Sequence, residues 1–161
     1  MPAYGVGVDI STHKIHFALV DHHDALLDRR IVVLDGKDGP AKLTALMVAF
    51  HELRRELPCA VVIERPFLGG NENAQTPIVL SLLVGMIEAA AYIEGYTVLL
   101  LTANEWRSYA GIHRGKRTNL KAEALRLYRV QFGLETKDDN EAEAGLMALV
   151  ACRQGRLEGL A

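Results

Sequence analysis

The sequence predicts an α/β domain built on a five-stranded mixed sheet, three antiparallel strands then two parallel ones, with helices on both faces. Two observations carry this expectation. Val6, Val8 and Ile10 alternate with small or polar residues, and Ile15, Phe17 and Leu19 repeat that period of two, as half-buried strands do. Further along, short apolar runs at 59–63 and 98–101 alternate with segments of helical period, the arrangement of central strands covered on both sides by crossover helices.

Each element has its own signal. Ser11, Thr12 and His13 form the turn between the first two strands, residues 21–24 form a second polar turn, and 26–34 give a third strand rich in Ile and Val. After the break at 36–40, Leu43, Leu46, Met47, Phe50 and Leu53 recur at helical spacing over 41–57, and Pro58 stops the run. The buried strand 59–63 delivers Glu64 to its carboxyl end. A loop over 67–75 leads to residues 76–95, apolar nearly all the way round with Glu88 and Glu94 as the only charges. Strand 98–101, a short helix 103–110 carrying Trp106, a basic loop 111–118, a charged helix 119–132 closed by Gly133 and a last helix 138–154 complete the order. We expect a single domain over 1–155, with 156–161 as a frayed tail.

Composition narrows the function. With 161 residues, half of them apolar, the chain can bury a core without disulfides or structural metal. Cys59 and Cys152 lie inside apolar segments without the paired spacing of a zinc site or a disulfide framework, which fits a reducing cytoplasm. No targeting signal or spanning segment is evident, so a soluble, non-membrane protein is expected. The net charge of −2 excludes a uniformly basic nucleic-acid coat but not a local basic patch.

Such a patch exists. Between Arg107 and Arg129 seven basic residues stand against Glu123 alone, a local charge of +6. Arg107, Arg114, Lys116, Arg117 and Lys121 are candidate phosphate contacts, since cations that displace counterions supply most sequence-independent affinity for DNA. Arg126 and Arg129 read equally as a solvated helix face.

The acids carry the chemistry. Asp9 lies near the end of the first strand, downstream of Gly5 and Gly7, whose missing side chains allow close backbone approach. Glu64 ends the fourth strand, which the proposed order makes a neighbour of the first. Asp139 and Glu143, four apart at the start of the last helix, share a face. Carboxylates gathered this way raise one another's pKa values unless divalent cations neutralise them, and hard oxygen ligands select Mg²⁺ or Mn²⁺. Two such ions can activate water and stabilise a leaving oxygen in phosphodiester hydrolysis. Singly, each acid has a plainer reading: Asp9 as a turn cap, Glu64 as a salt-bridged strand end, Asp138 and Asp139 as partners of the helix dipole. Asp138 with Glu141 is an alternative pair at spacing three.

The segments Gly7-Val8-Asp9-Ile10-Ser11, Val62-Ile63-Glu64-Arg65-Pro66-Phe67 and Asp139-Asn140-Glu141-Ala142-Glu143-Ala144 resemble the three acidic motifs of the RuvC-type Holliday junction resolvases, the compact bacteriophage-encoded members included. The resemblance runs in order over nearly the whole chain. It implies an RNase H-like fold, a dimeric endonuclease resolving four-way and related branched DNA, and two Mg²⁺ ions per site, with Mn²⁺ able to substitute. By motif, Asp9, Glu64, Asp139 and Glu143 match both the catalytic and the metal-ligating positions. Glu143 departs from the Asp common at the last position, and Asn140 or Glu141 stands as an alternative to Asp139. Phe67 matches an aromatic that stacks on bases at the junction centre. The apolar helix 76–95 needs a partner beyond its own sheet, which a twofold homodimer supplies.

Two other readings stay open: the catalytic domain of a DEDD-type transposase or recombinase, and a non-catalytic DNA-binding protein on an inactive RNase H-like fold. An actin-like kinase needs a second domain, for which this chain has no room. The segment 111–118 brushes against a P-loop, but its first glycine is misplaced and no Ser or Thr follows Lys116. His22 and His23 read as solvated turn residues, and His113 as a loop histidine without a ligand partner.

Overall fold

The computed structural model describes residues 4–55, 59–66, 75–113 and 115–157. Its strands are β1 (Tyr4–Ile10), β2 (Lys14–Val20), β3 (Leu26–Val33), β4 (Cys59–Glu64) and β5 (Thr97–Leu101); its helices are α1 (Gly39–Leu53), α2 (Gln75–Ile93), α3 (Ala103–Tyr109), α4 (Arg117–Phe132) and α5 (Asp139–Leu157). They form one sheet in the order β3-β2-β1-β4-β5. The β1–β2 and β2–β3 pairs are antiparallel, and β1–β4 and β4–β5 are parallel. The expected mixed α/β sheet is present, with β1 and β4 adjacent.

The strand period decides what lies on each face. Val6 and Val8 of β1 and Val61 and Ile63 of β4 face the layer of α1 and α2, in a core with Phe17, Phe50 and Ile87. Ala60 and Val62 of β4 face the opposite layer, where Trp106, Ala124, Leu146, Met147 and Val150 gather. Ala18 and Val20 of β2 meet Ala144, Ala148 and Leu149 of α5 on that same side. The sheet is thus sandwiched, and burial of these clusters is its main support.

Local chemistry sets the ends. Ser11 closes the β1–β2 turn: its hydroxyl donates to the Lys14 carbonyl at 2.7 Å and accepts from the Lys14 N–H at 3.1 Å. Asp38 caps α1 by accepting from the Ala41 N–H at 2.9 Å, with Pro40 in the first turn. That helix ends at Leu53, short of the expected limit at residue 57. Arg54 already has extended backbone, and the buried Tyr96 hydroxyl donates to the Phe50 carbonyl at 2.9 Å, satisfying an acceptor of the last turn. Other limits move as well, that of α2 among them, which runs over Gln75–Ile93 rather than 76–95. α4 begins at Arg117, so Arg117 and Thr118 belong to its first turn rather than to the basic loop; β5 starts at Thr97; and α5 continues to Leu157, past the expected end at Gln154. In that added turn Arg156 pairs with Asp24. Among the described residues no helix is long and apolar enough to cross a membrane.

Candidate active site

The site begins with two missing side chains. A Cβ on Gly7 would stand 1.9 Å from the Ala144 carbonyl oxygen and 2.3 Å from the Ala148 nitrogen, and one on Gly5 would stand 2.1 Å from the Ala148 carbonyl oxygen. The backbone of α5 therefore rests directly on the backbone of β1, with Ala144 and Ala148 in between. Asp9 is two residues beyond Gly7, so its side chain leaves the strand on the same face. The start of α5, with Asp139 and Glu143, lies over it.

Glu64 arrives by register. Val8 pairs with Ile63 in the parallel β1–β4 ladder, so Asp9 and Glu64 are the next step of the two strands. Glu64 shares its face with Ala60 and Val62, again the α5 side.

Electrostatics report the gathering. The Asp9 carboxyl is pushed up to about 8, first by burial, then by the negative charges of Glu143, Glu64, Asp139 and Asp138. Burial also raises Glu143, with Glu64 and Asp139 adding to the rise and Arg107 opposing it. Asp9 of β1, Glu64 of β4 and Asp139 and Glu143 of α5 are thus electrostatically coupled.

Basic side chains have moved in among them. Arg107 Nη2 lies 3.2 Å from Glu143 Oε1, and the Lys121 ammonium donates to Asp139 Oδ2. Trp106, fully buried, donates its indole N–H to Glu64 Oε2 at 2.6 Å. Among the described residues no group of three or more His, Cys, Asp or Glu side chains is arranged so that it could hold a metal ion. The donor set nevertheless fits a hard divalent ion. It is made of carboxylate oxygens, it comes from three elements, and its central member is pushed up first by burial and then by the charges of the other acids, which a bound cation would offset.

The alternatives among the acids separate. Glu141 is engaged away from Asp9: it accepts from Arg29, from the Tyr128 hydroxyl at 3.1 Å and from the Thr136 hydroxyl at 3.0 Å. Asp138 accepts from the Asn140 N–H at 3.0 Å and lies 3.2 Å from His16 Nε2 and 3.6 Å from Lys14 Nζ. Burial would raise its pKa, but these partners outweigh burial and hold it below the ordinary value. Burial lowers the pKa of His16 despite Asp138. The turn-cap reading of Asp9 is displaced by Ser11, which does that work.

Of the candidate DNA contacts, Arg107 and Lys121 sit at the rim of the acids. Lys116 and Arg117 are exposed at the start of α4. Phe67 and Arg114 lie outside the described residues.

Two members of the site carried no role in the sequence reading. His16 has a period-two signal only as an inward β2 residue, yet it pairs in register with Asp9. Trp106 did have a local signal. Thr102 and Glu105 form a reciprocal capping box, with Glu105 Oε2 accepting from the Thr102 N–H at 2.7 Å and the Thr102 hydroxyl from the Glu105 N–H at 3.3 Å. This fixes where α3 starts and so the direction of the next residue.

No family model matches the sequence, and no curated protein matches it. Solved structures do match its fold. The RuvC structure from Thermus thermophilus superposes with a TM-score of 0.69 at 18% identity, over 98% of this chain and 97% of that one. The same organism's RuvC in complex with a Holliday junction substrate gives 0.69 at 16% identity, over 98% and 96% of the two chains. The yeast mitochondrial Holliday junction resolvase gives 0.58 at 18% identity, over 96% and 80%. The chain therefore has the RuvC-type, RNase H-like fold that its motifs predict.

Proposed function

We propose that this protein is a divalent-metal-dependent endonuclease that resolves four-way and related branched DNA, working as a homodimer. The observation that carries the proposal is the gathering at Asp9 of Glu64, from the next strand in the parallel ladder, and of Asp139 and Glu143 from α5, two elements far from β1 in the chain. A stably folded protein has little reason to crowd carboxylates on a buried strand end unless cations join them. The shared fold includes a RuvC bound to a Holliday junction, which points to the same class of substrate.

Asp9, Glu64, Asp139 and Glu143 would hold two Mg²⁺ ions, with Mn²⁺ able to substitute. When bound, such ions activate water and stabilise the leaving oxygen in phosphodiester hydrolysis, giving 5′-phosphate and 3′-hydroxyl ends. Arg107 and Lys121, held at the rim by Glu143 and Asp139, are placed to exchange those carboxylates for DNA phosphates. Lys116 and Arg117 extend the positive surface along the start of α4, and Arg114 and Phe67 are proposed DNA contacts on sequence grounds. A second copy would cover the apolar outer stripe of α2.

A cleavage assay tests the proposal. Four-way, three-way and linear duplexes are compared in Mg²⁺, Mn²⁺ and chelator, with Asp9→Asn and Glu64→Gln beside the native protein. The expected result is metal-dependent cleavage of branched DNA only, lost in both variants while junction binding persists. Cleavage by pure Asp9→Asn protein would end the assignment.

A further inference from the structure

We infer that Trp106 is a positioning residue for Glu64: its indole N–H fixes the carboxylate so that the opposite oxygen, Oε1, is the one offered to a cation. This rests on the reading of Glu64 as a metal ligand. It adds a device the acids themselves do not supply.

A carboxylate at the end of a strand can rotate about its side-chain bonds, and a ligand that rotates binds less tightly than one held in place. The indole N–H is a donor with no acceptor capacity, so it can only engage an oxygen lone pair. Here it meets Glu64 Oε2 at 2.6 Å from a fully buried ring. The ring itself is held on every side. Its cluster includes Ala60 and Val62 of β4, Ile112, Ala124 of α4 and Leu146, Met147 and Val150 of α5, and the Arg107 guanidinium lies 5.0 Å from the ring centroid.

The backbone enforces the placement as well. Leu101 pairs with Glu64 in the β4–β5 ladder, and the Arg65 N–H donates to the Leu101 carbonyl at 2.7 Å. The capping box at Thr102 and Glu105 then starts α3 at once, so Trp106 emerges one turn later above Glu64. Three successive devices, a ladder, a cap and a packed ring, converge on one oxygen atom. A buried Trp needs some acceptor, but a core role alone would be met by any carbonyl.

Trp106 is the single tryptophan of the chain, so replacing tryptophan biosynthetically with benzothienylalanine changes this position alone. That analogue keeps the bicyclic shape and removes the N–H. Mn²⁺ binding to DNA-free protein is measured by calorimetry for the native protein, the analogue protein, Trp106→Phe and Glu64→Gln, with thermal denaturation checking the fold. The expected result is Mn²⁺ affinity about 10- to 100-fold weaker in the analogue protein at a near-native midpoint of denaturation, as for loss of a ligand's supporting hydrogen bond. In the native protein, Mg²⁺ should change the Trp106 emission with the same midpoint as its calorimetric binding, a readout independent of any variant. Native-like Mn²⁺ affinity in the folded analogue protein, or an emission blind to Mg²⁺ that calorimetry shows bound, would overturn the inference and leave the metal site standing. Absence of Mn²⁺ binding to the native protein would overturn both.

Discussion

Asp9 and Glu64 are one residue beyond the Val8–Ile63 pair of two parallel strands, so 54 intervening residues separate two carboxylates that occupy adjacent positions at one end of the sheet. Both face α5, whose first two turns carry Asp139 and Glu143. The consequence is a repulsive centre whose state depends on pH.

The pH dependence follows from Asp9. Its pKa in the folded protein, about 8, lies above the ordinary value of 3.8, so between these limits the folded state keeps a proton the unfolded chain has released. Metal-free stability should therefore fall as pH rises from about 4 to about 8, by up to about 1.4 kcal/mol per pH unit from this group. Asp9→Asn should remove that decline and make the metal-free protein more stable at pH 8. Mg²⁺ should stabilise the native protein more at pH 8 than at pH 5. Thermal denaturation across this range, with and without Mg²⁺, measures all three; a native metal-free midpoint flat from pH 5 to 8 would contradict the gathering of charge.

Gly7 is the structural hinge of the site's assembly. A methyl group there would collide with the backbone of α5 at Ala144 and Ala148, which cannot yield as a side-chain tip can. Gly7→Ala should cost about 3 kcal/mol or more in stability, at the upper end for overpacking, because a whole helix must lift. Since that helix carries Asp139 and Glu143, the cation-induced rise in thermal midpoint should vanish as well. Denaturant unfolding with and without Mn²⁺ checks both effects.

Much of this was legible in the sequence, for a physical reason. Strand period, helix period and turn residues are local, so β1 to β5 and the five helices follow from neighbours a few residues apart. The acids too were legible, because Gly5 and Gly7 announce a close approach and Glu64 ends a strand. What the sequence could not display was pairing across distance. Nothing near Glu141 distinguishes it from Asp139, and only the fold brings Arg29 and Tyr128 to the one and leaves the other beside Asp9. The same holds for Arg107 and Lys121, whose positive charge was evident and whose acidic partners were not. Helix limits were displaced by up to four residues, as where α1 ends at Leu53 rather than at residue 57 and α5 runs to Leu157 rather than to residue 154.

The separation of Glu141 from Asp139 yields opposite outcomes. Glu141→Ala leaves the buried Tyr128 hydroxyl and the Arg29 guanidinium without their shared acceptor, and should cost about 1–3 kcal/mol of stability. Stabilisation by Mn²⁺ should persist. Asp139→Asn should do the reverse, sparing stability and weakening Mn²⁺ binding. Calorimetric titration of both variants decides which acid belongs to the cation site.

Arg107 offers a test with two readouts of opposite sign. Its guanidinium neutralises Glu143 in the metal-free protein, so Arg107→Gln should free that carboxylate and tighten Mn²⁺ binding in the absence of DNA. If the guanidinium also meets phosphate, the same change should weaken junction binding and reduce the slope of log affinity against log salt by about 0.9. Weaker Mn²⁺ binding would show that Arg107 supports the acids rather than competing for them.

The proposed dimer can be tested on α2 without touching the site. Its inner residues Leu83, Val84, Ile87, Ala90 and Ala91 are buried against the sheet, while Ile78, Leu82 and Tyr92 follow one another along the opposite side. Leu82 is 65% exposed and Tyr92 78%, an apolar stripe that a lone domain leaves in water. Leu82 is mostly exposed, so Leu82→Glu removes little packing within the subunit, and the monomer should stay folded and keep its Mn²⁺ affinity. Placing two like charges at a twofold interface should shift sedimentation equilibrium from dimer to monomer. Paired nicking of opposed strands in a four-way junction should then give way to single nicks, because two sites are no longer delivered together. A native protein that sediments as a monomer at assay concentration would remove α2 as the interface.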